Sequence, residues 1–122
     1  CDAKNLRNLS KLFENVTFQY GDYKESNKYI DNNTFVYFDP PYYSTFDKYS
    51  KYGFTEKDQY KLYNFFVSLD KLGVYCMLSN SNTPFILELY KNYNITTIKA
   101  PRRINCKPNN RNIVEELVIR NY

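Results

Sequence analysis

The sequence predicts an α/β fold, mostly parallel with an antiparallel carboxyl-terminal strand, and three observations carry the expectation. Short β-prone apolar runs at residues 16–20, 35–38, 74–78, 95–99 and 114–119 are separated in the middle of the chain by helical spacing at 60–72 and 84–92. Those two helical stretches are long enough to act as right-handed crossovers between parallel strands. The last two runs are joined by a loop with no helix, which predicts an antiparallel hairpin at one edge of the sheet.

Taken in order, residues 5–13 place Leu6, Leu9, Leu12 and Phe13 at helical spacing and lead into the β-prone run 16–20. Gly21-Asp22 is a turn pair, and the polar stretch 24–33 passes through Asp31-Asn32-Asn33 into the run 35–38. Residues 43–54 show no clean period and read as a long loop. Thr55 with Asp58 forms a helix start, and the following helix runs to Leu72, where Gly73 stops it. Residues 74–78 form the next buried strand. Residues 79–84 then read as a turn, with Ser79 and Asn80 capping it and Pro84 opening a helix to about Asn92. A strand at 95–99, a basic Asn-rich loop at 101–112 and a strand at 114–119 complete the chain.

At 122 residues the chain is a single domain with one modest core. No apolar stretch approaches the ~20 residues of a membrane span, and the amino end lacks the basic-then-apolar pattern of a secretory signal. The expectation is a cytoplasmic protein with no membrane partner. Cys1, Cys76 and Cys106 form no CxxC pair and there is no histidine, so the cysteines read as structural thiols and no metal site is expected. Lack of histidine also excludes the usual catalytic triads and leaves chemistry to carboxylates, amides, phenols and backbone groups. A net charge of +4 is compatible with a polyanionic partner. The aromatic content of 19%, with 14 Tyr and no Trp, belongs mainly to core packing, so each tyrosine needs a positional argument.

One tetrapeptide has such an argument. Asp39-Pro40-Pro41-Tyr42 follows the apolar run Phe35-Val36-Tyr37-Phe38, where open α/β sheets bind ligands. Two successive prolines fix two φ angles and press Asp39 and Pro40 into extended shapes. A carboxylate, carbonyl groups and an aromatic ring are thereby held in fixed relation, which suits chemistry on an amino group attached to a flat ring.

The ordered series FVYFDPPY, GFTEKDQ, LSNSNTPFILELY, IKAPRRI and EELVIRNY resembles the carboxyl-terminal half of the Dam-type DNA adenine methyltransferases over nearly the whole chain. The resemblance implies part of a Rossmann-like methyltransferase sheet, S-adenosylmethionine as methyl donor and double-stranded DNA as partner. It assigns the catalytic segment to Asp39, Pro40, Pro41 and Tyr42. Asp39 and the Pro40 carbonyl would accept hydrogen bonds from the adenine amine, Pro41 would lock the turn, and Tyr42 would stack on a base flipped out of the duplex. Asp22 and Tyr23 correspond to the family's contact with the cofactor adenine, with Asp39 beside the cofactor; a plain turn aspartate is the other reading of Asp22. Lys48 and Lys51, and Arg102, Arg103, Lys107 and Arg111, are suited to DNA phosphates or to a solvated basic surface. Phe54 either walls the base pocket or staples the helix that follows it.

The family's glycine-rich cofactor turn and its DNA-recognition segment have no counterpart here, since Gly21, Gly53 and Gly73 lie far apart. The whole of 1–122 therefore reads as one catalytic-domain fragment that needs an amino-terminal segment or a partner chain, with residues 35–38 left as an exposed apolar edge. Two alternatives stand beside it. One is an inactive remnant that only binds DNA or a partner chain. The other keeps methyl transfer with a cytosine amine, an RNA or a protein amide as acceptor, although Asp at the first tetrapeptide position points to adenine.

Overall fold

The computed structural model describes residues 2–43, 53–101 and 113–122. Helix α1 (Ala3–Leu12) continues into a 3-10 turn (Phe13–Asn15), and a 3-10 helix (Tyr23–Tyr29) precedes strand β1 (Phe35–Phe38). Helix α2 (Glu56–Lys71), strand β2 (Tyr75–Ser81), helix α3 (Pro84–Leu89), strand β3 (Asn94–Pro101) and strand β4 (Ile113–Arg120) follow. The sheet has the order β1-β2-β4-β3. β1 is parallel to β2, and β4 is antiparallel to both β2 and β3. Three strands thus share one direction and only the last opposes them, as expected. The hairpin forms with β3 as its outer strand, while β4 inserts next to β2, where Leu117 and Ile119 are covered completely.

Helix α2 shows why local signals succeed. Thr55 Oγ1 accepts from Asp58 N, and the Asp58 carboxylate accepts from Thr55 N, so two otherwise unpaired helix-end donors are satisfied together. At the other end Gly73 adopts φ +77, a left-handed conformation that disfavours other residues. Between the caps, Leu62, Phe66 and Leu69 bury against Phe38, Cys76, Leu78, Ile86, Tyr90, Leu117 and Ile119. Phe66 meets the rings of Phe38, Tyr90 and Tyr93 at centroid distances of 5.8, 5.6 and 4.9 Å. Cys76 lies in this core, and burial pushes its thiol up to about 11, so it is a packing group at neutral pH.

Side chains alternate across the sheet, so the opposite face carries Phe35, Tyr37 and Tyr75, each more than half exposed. β1 is an edge strand whose outer side has no partner strand among the described residues.

Three expectations are corrected. Residues 16–20 form no strand; they have no sheet partner among the described residues, with Val16, Phe18 and Tyr20 exposed, because β propensity without a neighbouring strand does not make a ladder. Residues 79–81 are not a turn but the end of β2, held there by pairing with Val118, Leu117 and Glu116. The cap of α3 is Thr83 rather than Ser79 or Asn80, its side chain accepting from Ile86 N. The polar stretch after Gly21 also contains a 3-10 helix, capped by Asp22.

Candidate active site

Asp39 continues the odd-numbered series of β1 onto the open face, directly beyond the parallel pair Phe38 and Leu78. The next residue of β2, Ser79, is buried and donates from Oγ to Asp39 Oδ1 at 2.9 Å. Tyr37 Oη donates in turn to Ser79 Oγ at 3.0 Å. A relay of two hydroxyls therefore orients one oxygen of an exposed carboxylate, a charge-assisted arrangement stronger than a neutral hydrogen bond.

A second set of bonds comes from the helix-covered face. Gln59 Nε2 donates to the Pro41 carbonyl at 3.1 Å, and Asn80 Nδ2 donates to Gln59 Oε1 at 3.1 Å. Tyr43 N donates to Asn80 Oδ1 at 3.0 Å, and Ser81 Oγ donates to the Tyr43 carbonyl at 2.6 Å. The Tyr43 ring packs on Phe85 at 4.5 Å, and its hydroxyl donates to Glu56 Oε1 at 2.6 Å.

A cleft of about 310 Å³ opens beside this segment, walled by Tyr23, Phe38, Asp39, Pro40, Phe54 and Leu62. The 3-10 helix brings Tyr23 into it, packed on Phe65 at 5.5 Å, and burial raises the Tyr23 phenol above its ordinary pKa. Phe54 faces the same cleft. A staple would pair it with the fourth residue of α2, but that residue is Gln59, which turns inward to Pro41.

Asp22 lies outside this cleft, beside a smaller one of about 140 Å³, and Asp22 Oδ1 accepts from Lys24 N at 2.9 Å as the cap of the 3-10 helix. Tyr42 is half-buried and its hydroxyl donates to Glu116 Oε2 at 3.3 Å, so its ring leans toward β4. Burial, with the Glu116 and Asp39 carboxylates adding, pushes the Tyr42 phenol upward. Lys48, Lys51, Arg102, Arg103, Lys107 and Arg111 lie outside the described residues.

The structure thus joins Tyr23 to Asp39, Pro40 and Pro41 in one cleft, whereas Asp22 lines a smaller cleft and the Tyr42 hydroxyl is engaged by Glu116. Sequence reasoning missed Tyr37, Gln59 and Glu116, and took Ser79 for a turn residue. Gln59 had a readable signal: residues 59, 62, 66 and 69 form one stripe of α2, and a polar residue on an otherwise apolar stripe needs a partner.

A mostly parallel sheet with one opposed strand, carrying a rigid Asp-Pro-Pro-Tyr segment over an aromatic cleft, defines a methyltransferase-type domain. Residues 1–104 match the model of the D12 class N6 adenine-specific DNA methyltransferases, and the chain belongs to that family. It is 45% identical to the Type II methyltransferase M.MjaIII of Methanocaldococcus jannaschii, a match covering 99% of this chain and 44% of that protein. It is 37% identical to the Type II methyltransferase M1.LlaDCHI of Lactococcus lactis subsp. cremoris, over 99% of this chain and 45% of the relative. A DNA adenine methylase of Vibrio cholerae is 30% identical over 94% of this chain and 44% of its own length. The chain therefore spans less than half the length of each of these three relatives. No helix among the described residues is long and apolar enough to cross a membrane.

Proposed function

We propose that this chain supplies the amine-orienting half of an enzyme that methylates the exocyclic amine of adenine in duplex DNA. The observation that carries the reading is the cleft in which Asp39, oriented by Ser79, faces the rings of Tyr23 and Phe54. An aromatic amine is a weak nucleophile because its lone pair is conjugated into the ring. Asp39 and the Pro40 carbonyl would each accept a hydrogen bond from one of its N–H groups, favouring a tetrahedral nitrogen whose lone pair is withdrawn from conjugation and stabilising the positive charge that develops. Asp39 acts as an orienting and stabilising group, and the amine proton leaves afterwards to solvent. Tyr42, tethered through its hydroxyl to Glu116, would present its ring to the flipped base, an interaction worth about 1–3 kcal/mol.

The cleft is large enough for a planar heterocycle. Its aromatic walls and carboxylate fit the adenine end of S-adenosylmethionine and the positive charge beside it, so Tyr23 and Asp39 would hold that part of the cofactor. Asp22, on the smaller cleft that shares Gly21 and Tyr23 with this one and with Oδ1 used as a cap, would accept a hydrogen bond from the cofactor's amino group through its second oxygen. When bound, S-adenosylmethionine supplies an electrophilic methyl that passes to the amine nitrogen as its C–S bond breaks, leaving a neutral thioether. No glycine-rich turn to hold the methionine end occurs among these 122 residues, and an upstream segment or partner chain would provide it. The same segment would pair with the open edge of β1. Lys48, Lys51, Arg102, Arg103, Lys107 and Arg111 would contact DNA phosphates.

A second reading, a remnant that only binds DNA or a partner chain, draws support from that open edge and from the unburied α1. Calorimetry with S-adenosylmethionine on this chain alone, and again with any polypeptide encoded just upstream, separates the two. The expected result is cofactor binding and methylation of duplex DNA only by the completed protein, with Asp39→Ala losing activity while keeping its fold. Tight binding by the lone chain would overturn the divided cofactor site. A completed protein that binds DNA without methylating it would establish the remnant.

A further inference from the structure

Gln59 and Asn80 are both wholly excluded from solvent, and a buried amide is stable only when its hydrogen bonds are made. Their orientations are forced. Asn80 Oδ1 accepts from the backbone N–H groups of both Tyr43 and Ser81, at 3.0 and 2.9 Å, and a flipped side chain would set its NH₂ against both donors. Asn80 Nδ2 must then point at Gln59 Oε1, which turns Gln59 Nε2 onto the Pro41 carbonyl. The two bonds to the main chain fall on the two peptide groups that flank Tyr42, one before it and one after it. Proline rings set φ at positions 40 and 41, and Ser81 Oγ holds the Tyr43 carbonyl. Little freedom is left to the main chain between Asp39 and Tyr43, and the Tyr42 hydroxyl is itself held by Glu116.

We propose that Gln59 and Asn80 are positioning residues for methyl transfer, a buried amide pair that grips both peptide groups flanking Tyr42. Through them it sets where the Pro40 carbonyl and the Tyr42 ring meet the target base. The inference rests on the methyl-transfer reading given above. Neither side chain touches the base; both act through the backbone. The dependence is steep, because a misplacement of about 1 Å at a reacting centre lowers the rate by about 100-fold.

The test uses the completed protein, S-adenosylmethionine, and duplex DNA from a host lacking adenine methylation, with Gln59→Met and Gln59→Glu compared with the unsubstituted protein. In Gln59→Met at neutral pH, and in Gln59→Glu at a pH high enough to ionise the buried carboxyl, kcat is expected to fall about 10- to 100-fold, with KM for S-adenosylmethionine changed by less than about twofold. Hydrogen-exchange protection of the Tyr43 amide should fall about tenfold while that of Leu117 in β4 is kept. Gln59→Glu retains the acceptor for Asn80 but, when ionised, has no donor for Pro41. Its kcat relative to the unsubstituted protein should therefore rise as pH is lowered and the introduced carboxyl regains a proton. General loosening of the fold would not be repaired by acid. A kcat within about twofold of the parent in both variants, unchanged Tyr43 protection, a loss matched by the unfolded fraction, or parallel pH profiles would each overturn the proposal. If the unsubstituted protein methylated no DNA, the proposed function would fall first, and Tyr43 protection would still decide whether the amide pair holds the loop.

Discussion

Helices α1 and α2 carry the same kind of apolar stripe, and only α2 buries it. Each has its own cap: Asp2 accepts from Asn5 N at 3.0 Å, and Thr55 with Asp58 closes a capping box. Yet Leu6, Leu12 and Phe13 are 55, 68 and 47% exposed, against 2, 0 and 0% for Leu62, Phe66 and Leu69. The difference is what lies opposite. α2 packs on the sheet face formed by Phe38, Leu78 and Ile119, whereas α1 buries none of its residues. Periodicity specifies a face that needs covering, and only a second surface converts it into stability.

Breaking the covered helix should have the largest effect. Phe66→Ala, measured by denaturant unfolding of this chain, is expected to lose about 3–5 kcal/mol through transfer and cavity terms together. A loss below about 1 kcal/mol would mean that the stripe of α2 is not what holds the core. Next, Tyr90 is wholly buried, and its hydroxyl has no hydrogen-bond partner among the described residues. Tyr90→Phe should therefore raise stability, by about 1 kcal/mol, and a destabilised variant would reveal a partner for that hydroxyl.

A smaller effect concerns the amino-terminal cap of α2. Asp58 is held below its ordinary value of 3.8, chiefly by its hydrogen bond to Lys61 at 2.8 Å and then by Thr55. A depressed folded pKa stabilises above the unfolded value and is lost as pH falls through the folded one. The unfolding midpoint should decline on acidification below about pH 4, with a flatter decline in Asp58→Asn; identical profiles would rule out this contribution. Smallest of all, Leu12→Ala in α1 should change the stability of this chain by less than about 0.5 kcal/mol. A Leu12 loss comparable with that of Phe66 would erase the contrast between the two helices.

The elements read well where the signal was local. The capping box at Thr55, the stop at Gly73, the Pro84 start of α3 and the apolar runs of β1, β2, β3 and β4 all stand close to where spacing placed them. The errors lie where an outcome depends on a distant strand. Residues 16–20 look like a strand but have no strand to pair with among the described residues, and Ser79-Asn80 looks like a turn but is drawn into β2 by β4. No local pattern marks Glu116, from the far end of the chain, as the acceptor for the Tyr42 hydroxyl.

The rigidity of the Asp39-Pro40-Pro41-Tyr42 segment and the chemistry it suits follow from the residues alone, because proline restrictions act within two or three bonds and need no partner. The tertiary structure alone decided which groups orient that segment. Ser79 reaches Asp39 because β1 and β2 run parallel in one register. Gln59 and Asn80 meet at Pro41 because α2 packs on the covered face of the sheet. Such pairings depend on how distant stretches are brought together in space, which no local pattern of residues encodes.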